Sequence, residues 1–302
     1  MPARSPTPQT FAGLLLATLS LTAGAAAFAR ISTPSSFADA KTRNIVGGRK
    51  VLVVVPQTRI SASFLDLSYL GPGAGPVLIG GQTPHEVNQL IAPLVDALAG
   101  YDFDGPLYAG LLPTVNASSW LRAQDPELTH LTDDAGIERE LNESNTRQML
   151  LLRCIYFVDY HQQRIIVELQ ASILVRKIPK GQHGYVRLKP EYIPFQQIFR
   201  SISYLPQSEG AQPEANVARW AADHGKLARR ALDRGIARVT ALLAANLDAD
   251  EDTIAKWRHR GDRKTVERYG VQGWVVGHEA NGVQFVQART GTFDDVETVA
   301  LN

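Results

Sequence analysis

The densest run of residues that could do chemistry lies near the carboxyl end of the chain, at residues 256–264. It reads Lys-Trp-Arg-His-Arg-Gly-Asp-Arg-Lys. Arginine offers forked donors to phosphate or carboxylate, and tryptophan adds a flat apolar face. The alternative is that these charges solvate a loop and balance the acids at 248–252. We predict an anion-binding surface, called here the basic patch, made of Lys256, Trp257, Arg258, Arg260, Arg263 and Lys264.

Residue patterns for catalysis or metal binding are weaker. The seven histidines show neither His-x-His nor His-Glu-x-x-His spacing. The single cysteine, Cys154, lies in an apolar segment, where a buried thiol is inert. Asp66, His130, Asp133 and Asp134 are the candidate groups of a hydrolase whose catalytic residues are dispersed in the sequence. The sequence predicts no metal site and no cofactor, and it favours a non-catalytic protein over an enzyme.

Two further segments resemble ligand-binding loops but lack their essential residues. The glycine-rich segment at 71–76 contains Pro72 and Pro76, which remove backbone donors that a phosphate loop needs. The acidic run beginning at Asp248 has Thr253 and His259 where a calcium loop has glycine and glutamate. We therefore expect an irregular surface loop in the first case and a solvated acidic helix end in the second.

The first 29 residues predict the compartment in which the protein works. Arg4 precedes an uncharged stretch that ends in Ala27-Phe28-Ala29, which is typical of a signal peptide cleaved after Ala29. An uncleaved membrane anchor is the alternative, but Gly and Ser/Thr residues dilute the apolar segment. We expect a periplasmic or secreted protein with no transmembrane span after signal cleavage.

The charge balance bears on the partners. The chain has 31 basic and 30 acidic residues, and removal of Arg4 with the signal peptide leaves equal numbers. A chain with no excess of positive charge is not expected to bind nucleic acid. The partners that we expect are an anionic envelope component or another protein.

The mature chain divides into an arm and a folded domain. Residues 30–46 are rich in Ser and Thr and predict a flexible arm. Residues 47–302 predict a single α+β domain, and a subdivision near 113–147 is left open. The central pattern is alternation from Ile165 to Val175, which is typical of a half-buried strand. Its predicted neighbours are strands at 148–159 and 193–205, and an Arg153–Glu168 pair across the first hairpin is expected.

The remaining elements complete the predicted fold. A valine-rich run at 51–55 predicts a strand buried on both faces, followed by a short strand at 59–64. A closing hairpin is expected at 273–278 and 283–288, with Asn281-Gly282 at its turn. We predict a largely antiparallel sheet packed by a long amphipathic helix (214–247) and a shorter capped helix (84–99) that Pro93 kinks.

Two functional hypotheses follow. The first is a secreted or periplasmic, non-catalytic envelope-associated protein with a binding or assembly role that uses the basic patch. The second is a secreted hydrolase that uses the dispersed groups around His130. Convergence of titratable groups in one site would favour the hydrolase.

Overall fold

The computed structural model describes residues 37–63, 84–176, 193–205, 212–258, 266–268, 271–279, 282–287 and 293–298. Its helices are α1 (Ala40–Arg43), α2 (Pro84–Leu90), α3 (Ala92–Ala97), α4 (Asp104–Ala117), α5 (Asp134–Glu143), α6 (Pro213–Asp248) and α7 (Glu251–Arg258). Its strands are β1 (Arg49–Val54), β2 (Ser61–Ala62), β3 (Ala123–Thr129), β4 (Gln148–Val158), β5 (Arg164–Val175), β6 (Phe195–Tyr204), β7 (Val266–Arg268), β8 (Val271–Glu279), β9 (Gly282–Gln287) and β10 (Phe293–Thr298). No helix of this part of the chain is both long and apolar enough to cross a membrane.

The strands form one mixed sheet in the order β3-β1-β4-β5-β6-β10-β9-β8-β7, with β2 paired to β4. Strands β4, β5 and β6 are antiparallel, as the sequence predicts, and so are β7, β8, β9 and β10. In contrast, β1 runs parallel to both β3 and β4, β2 runs parallel to β4, and β10 runs parallel to β6. The α+β class is confirmed, whereas the description as largely antiparallel does not fit the strands around β1.

Strand β1 lies between β3 and β4, and its sequence suits burial on both faces. Val51 and Val53 contact the larger core cluster, and Leu52 and Val54 contact a smaller one on the opposite face. The larger cluster includes apolar residues of α2, α3, α4 and α6, and the smaller one includes Ile137 and Leu141 of α5. The helices between β1 and β3 therefore pack on one face of the sheet, and α5, between β3 and β4, packs on the other face. The carboxyl ends of these parallel strands share one edge of the sheet.

The long predicted helix is broken. Within α6, Ala222 has an extended backbone, and Asp223, His224 and Gly225 have φ angles of 51°, 57° and 71°. Three consecutive residues in the left-handed region end one helical segment before the next begins. Asp, His and Gly tolerate this region better than most residues. A Cβ atom on Gly225 would lie 3.1 Å from the Ala97 carbonyl oxygen, so α3 packs directly against the break.

The shorter predicted helix is also two helices. Residues 84–99 form α2 and α3, which are separated by a turn at Ile91. Pro93 lies in the first turn of α3, where its missing N–H group has no intrahelical partner to lose. The proline therefore starts a new helix and does not kink a continuous one. The sequence predicts Thr83 as the cap of this helix, and Thr83 lies outside the described residues.

The carboxyl-terminal part of the predicted flexible arm includes a short helix and buried residues. Phe37, Ala38 and Thr42 are buried. The Arg43 side chain donates hydrogen bonds to the carbonyl oxygens of Ala38 and Ala249, and the Ala40 N–H group donates to Glu251. These contacts hold residues 37–46 against the domain, which therefore begins before Gly47. Residues 30–36 and the predicted signal peptide lie outside the described residues.

Candidate functional site

Helix α7 carries the beginning of the basic patch. Ile254 is buried in the larger core cluster, which fixes one side of the helix. Trp257 stacks on Phe37 at 6.2 Å between ring centroids and meets Phe293 edge-on at 5.0 Å. Lys256, by contrast, is exposed. The tryptophan is thus engaged in packing within the domain, and the lysine is the group that faces solvent.

Of the other residues in the basic patch, only Arg258 lies within the described ranges. Arg258 is the last residue of α7, and nothing is described of its side chain. Arg260, Arg263 and Lys264 lie outside the described residues. The structure brings Lys256 and Trp257 together on one helix, and the predicted patch otherwise stays a prediction.

One of the acids that precede α7 has a structural role. The Asp250 carboxylate accepts a hydrogen bond of 2.7 Å from the Thr253 N–H group, so it caps the first turn of α7. Hydrogen bonds from Thr253 lower the pKa of Asp250. Within the described ranges, no three His, Cys, Asp or Glu side chains converge in a way that could hold a metal ion.

A histidine and an aspartate meet at the carboxyl edge of β1 and β3. His130 follows β3, and its Nδ1 atom lies 2.8 Å from the carbonyl oxygen of Val55, which follows β1. Its Nε2 atom lies 3.4 Å from Oδ2 of Asp104, the first residue of α4. The two side chains are 49% and 32% exposed. We call them the His130–Asp104 pair.

The pair is electrostatically coupled to its surroundings. Burial raises the pKa of Asp104, the charge on Asp102 adds to this, and His130 opposes it. Burial also raises the pKa of the nearby Tyr156 hydroxyl to about 12, with a smaller contribution from Asp104. Tyr156 stacks on Phe103, the residue before Asp104, with 4.0 Å between ring centroids.

Those predicted hydrolase groups that the structure describes do not assemble into a triad. Asp133 caps α5 by accepting a hydrogen bond of 2.8 Å from the Gly136 N–H group, and Asp134 is exposed in the first turn of that helix. Asp66 lies outside the described residues. His130 instead pairs with Asp104, which the sequence analysis missed because 26 positions separate the two residues. The one feature they share in the sequence is position: His130 directly follows β3, and Asp104 is the first residue of α4.

The ring of His130 is also poorly placed for base catalysis. A general base needs a ring nitrogen directed at its substrate. Here Nδ1 contacts a backbone carbonyl and Nε2 faces a carboxylate. Cys154 is fully buried, as predicted, and burial raises the pKa of its thiol, so it is not an activated nucleophile.

A second charged cluster joins α6 to the last strand, and we call it the arginine–carboxylate cluster. Arg234 Nη2 and Arg238 Nη2 donate to Asp295 at 2.6 and 2.5 Å. Arg234 also donates to Glu297 at 2.6 Å and to the Ser201 hydroxyl at 3.0 Å. The Asp295 side chain is 2% exposed. The cluster therefore connects β10 to helix α6.

The predicted ion pair between Arg153 and Glu168 is replaced by a pair between Glu168 and Arg200. Glu168 binds Arg200 on β6, with 2.6 Å between Nε and Oε2. Arg153 lies opposite Gln170 on β5, and Glu168 lies opposite Ile155. The β4–β5 register therefore places Glu168 and Arg153 two positions apart, and β6 supplies the nearer cation.

Arg49 is a fully buried charge that the sequence analysis did not single out. It donates to the carbonyl oxygens of Trp120, Leu121 and Ile45 at 2.9, 2.8 and 3.0 Å. Its guanidinium also lies 5.4 Å from the centroid of the Trp120 ring. Burial lowers its pKa to about 10, and the charge of Arg122 adds to the effect. The residue joins β1 to the segment before β3.

Comparison with known proteins assigns neither a family nor a function to the chain. No protein-family model matches the chain, and no curated protein matches its sequence. The site must therefore be judged from its own geometry.

Proposed function

We propose that the protein is a secreted or periplasmic, non-catalytic protein that binds an anionic envelope component or a partner protein through the basic patch. The observation that carries the proposal is the way α7 is held. Ile254 and Trp257 fix one side of the helix to the core, while Lys256 on the same helix is exposed. Lys256 is thus held at the surface by a packed helix, and the other basic residues of the patch follow it in the sequence.

The packed helix matters for Lys256 because a charge on an ordered element loses less conformational entropy on binding than one on a free loop does. The arginines and lysines of the basic patch would attract phosphate and carboxylate groups, and dissolved salt would weaken this attraction. A salt-sensitive interaction with an anionic surface is therefore the expected behaviour.

The non-catalytic part of the proposal is supported by how the ionisable groups are used. Asp295, Glu297 and Glu168 bind arginines within the fold, and Asp133 and Asp250 cap helices. The hydrolase alternative depends on His130, whose two ring nitrogens already face groups of the protein. The geometry therefore favours a binding protein.

The test is co-sedimentation of the chain from residue 30 with vesicles of phosphatidylglycerol or of phosphatidylcholine, at low and high salt. The variant changes the five basic residues of the patch to Gln and leaves Trp257 in place, because Trp257 packs within the domain. A matched control changes five exposed basic residues elsewhere on the surface to Gln, namely Arg122, Arg139, Arg147, Lys226 and Arg230.

We expect the unmodified protein and the control to sediment with the anionic vesicles at low salt, and the patch variant to stay in solution. Equal sedimentation of both variants would mean that the basic patch is not the binding surface. If no protein sediments, isolated envelopes and then a partner protein are the next probes. The compartment is tested separately, because cleavage of the signal peptide predicts Arg30 as the first residue of the exported protein.

A further inference from the structure

The two faces of the central sheet are covered to different extents. Helices α2, α3, α4 and α6 contribute apolar residues to the larger core cluster on one face. On the other face, Met149 of β4 and Leu174 of β5 pack with Ile137 and Leu141 of α5. Alternate residues of a strand share a face, so this second face continues beyond the smaller cluster. We call its middle the Arg153 surface, which consists of Arg153, Ile155, Glu168, Gln170, Ile198 and Arg200.

The Arg153 surface lies between two buried ends of the same face. Leu151 and Ser172 are buried on the side toward α5, and Phe157, Ile166 and Ile202 are buried at the other end. The side chains of the surface itself are half-buried. Solvent therefore reaches the sheet in the middle of this face. Neighbouring strands are about 4.8 Å apart, so β4, β5 and β6 together span about 10 Å here, which matches the size of a small molecule.

Two of the three charged groups of the surface bind each other. Arg200 Nε donates to Glu168 Oε2 at 2.6 Å. Burial opposes the charge of Arg200, but the carboxylates of Glu168 and Asp294 outweigh burial, so the pKa of Arg200 is raised. Arg200 thus neutralises carboxylates of the protein itself.

Arg153 is the third charged group, and its position differs. None of the described residues accepts a hydrogen bond from its guanidinium or forms an ion pair with it, and the Gln170 amide likewise has no partner among them. Gln170 lies directly opposite Arg153 in the β4–β5 register. Directly opposed residues have Cβ atoms about 4.5–5.5 Å apart, so both side chains can contact one ligand group. A half-buried guanidinium has lost part of its hydration and is stabilised by an anion.

The groups around Arg153 define the ligand further. Glu168 lies two positions from Gln170 on β5 and repels an anion, so an anion is favoured on the Gln170 side. Ile155 follows Arg153 on the same face of β4, and Ile198 lies opposite Gln170 on β6. Both isoleucines are half-buried and offer apolar contact. A fitting ligand therefore has one anionic group and an apolar body.

We propose that the Arg153 surface binds a small carboxylate with an apolar body. The carboxylate contacts the Arg153 guanidinium and the Gln170 amide, and the apolar body lies on Ile155 and Ile198. The guanidinium fork matches the two oxygens of a carboxylate, and one arginine near an acid balances one negative charge better than a phosphate dianion. Trp257 packs on the larger cluster, across the sheet from Arg153, so this site is separate from the basic patch and does not depend on the proposed function.

The test is isothermal titration of the full chain with hexanoate, with hexanamide and inorganic phosphate as contrasting probes. Arg153→Gln removes the guanidinium. Gln170→Glu retains it but places a carboxylate directly opposite, where the two side chains can pair within the protein. The matched controls are Arg147→Gln and Gln212→Glu, which make the same changes at exposed positions. Thermal unfolding of each variant verifies that it is folded.

We expect one saturable hexanoate site and no saturable binding of hexanamide or phosphate. Arg153→Gln should weaken hexanoate binding by at least about tenfold, because hydrogen bonds to a charged group are lost. Gln170→Glu should weaken it similarly, because the new carboxylate competes for the guanidinium. Both controls should keep the affinity of the unmodified protein. Absence of saturable hexanoate binding, equal affinity in either surface variant, or equal binding of hexanamide or phosphate would overturn the proposal.

Nitrogen-15 NMR of the arginine Nε–Hε groups provides a second readout on the unmodified protein. The resonance that disappears in Arg153→Gln is that of Arg153. Hexanoate should shift this resonance and leave that of Arg200, which is bound to Glu168, in place. A shift at another arginine with none at Arg153 would also contradict the assignment.

Discussion

The arginine–carboxylate cluster and the His130–Asp104 pair contain similar charged groups but use them differently. In the cluster, the Asp295 side chain is 2% exposed and takes donors from two arginines at 2.5–2.6 Å. In the pair, the histidine side chain is 49% exposed, and its Nε2 atom stays 3.4 Å from the carboxylate. The first site leaves Asp295 little access to solvent, whereas the second is open to it.

The difference separates a structural role from a candidate functional one. A buried carboxylate whose oxygens are filled by donors holds elements together and offers little to a ligand. An exposed pair of this kind keeps its polar atoms accessible to solvent and contributes little to stability. The two sites should therefore respond differently to substitution.

The largest expected effect is in the cluster, for Asp295→Ala. Removal of the shared carboxylate would leave Arg234 and Arg238 without their common partner. Breaking a buried ion pair costs about 3–5 kcal/mol, and both arginines reach solvent, so we expect a loss of about 3 kcal/mol in the free energy of unfolding. Urea denaturation measures it, with the exposed Asp248→Ala as the control. A loss similar to that of the control would mean that the cluster contributes little to stability.

A smaller effect is expected in the pH dependence of the same cluster. Burial raises the pKa of Glu297, the charge on Asp295 adds to this, and Arg234 and Arg238 oppose it. A carboxyl group with a raised pKa in the folded state stabilises the fold below its unfolded-state pKa, and that contribution is lost as pH rises through the folded-state pKa.

Glu297→Gln removes this titration. The free energy of unfolding of the unmodified protein minus that of the variant should therefore fall as pH rises from about 4 to 7. Denaturation curves at several pH values in this range measure the difference. A difference that rises with pH would show that the two arginines outweigh burial.

The smallest effect on stability is expected for His130→Ala. The ring is half exposed and makes one hydrogen bond to Val55, so we expect a loss of at most about 1 kcal/mol. Thermal and urea unfolding measure it. A loss as large as that of Asp295→Ala would place the pair with the structural cluster and remove the contrast between the two sites.

Local patterns in the sequence were sufficient for much of the fold. Alternation of apolar residues predicted β5, because residues of one strand that share a face are two positions apart, and β4 and β6 were predicted as its neighbours. The apolar character of its segment predicted the buried Cys154. The valine-rich β1 was predicted as buried on both faces, which is its position in the structure.

The helix breaks and the packed segment at 37–46 could not be found in the same way. The run from Glu214 to Leu247 keeps a helical period on both sides of Gly225, so periodicity alone does not reveal the left-handed turn. The contact of Gly225 with Ala97 on α3 favours the break, and that contact joins residues 128 positions apart. Phe37 is likewise buried by partners near the carboxyl end of the chain.

The sequence by itself determined the α+β class, the central strands, the inert thiol and the position of the basic run at 256–264, because each depends on residue types at short spacing. Only the tertiary structure decided that β1 is parallel to its neighbours, that Trp257 packs against Phe37 and Phe293, and that His130 meets Asp104. These features depend on which distant segments meet in the folded chain. Residue types alone do not specify these tertiary contacts, because the chain contains several possible partners for each charged or aromatic side chain.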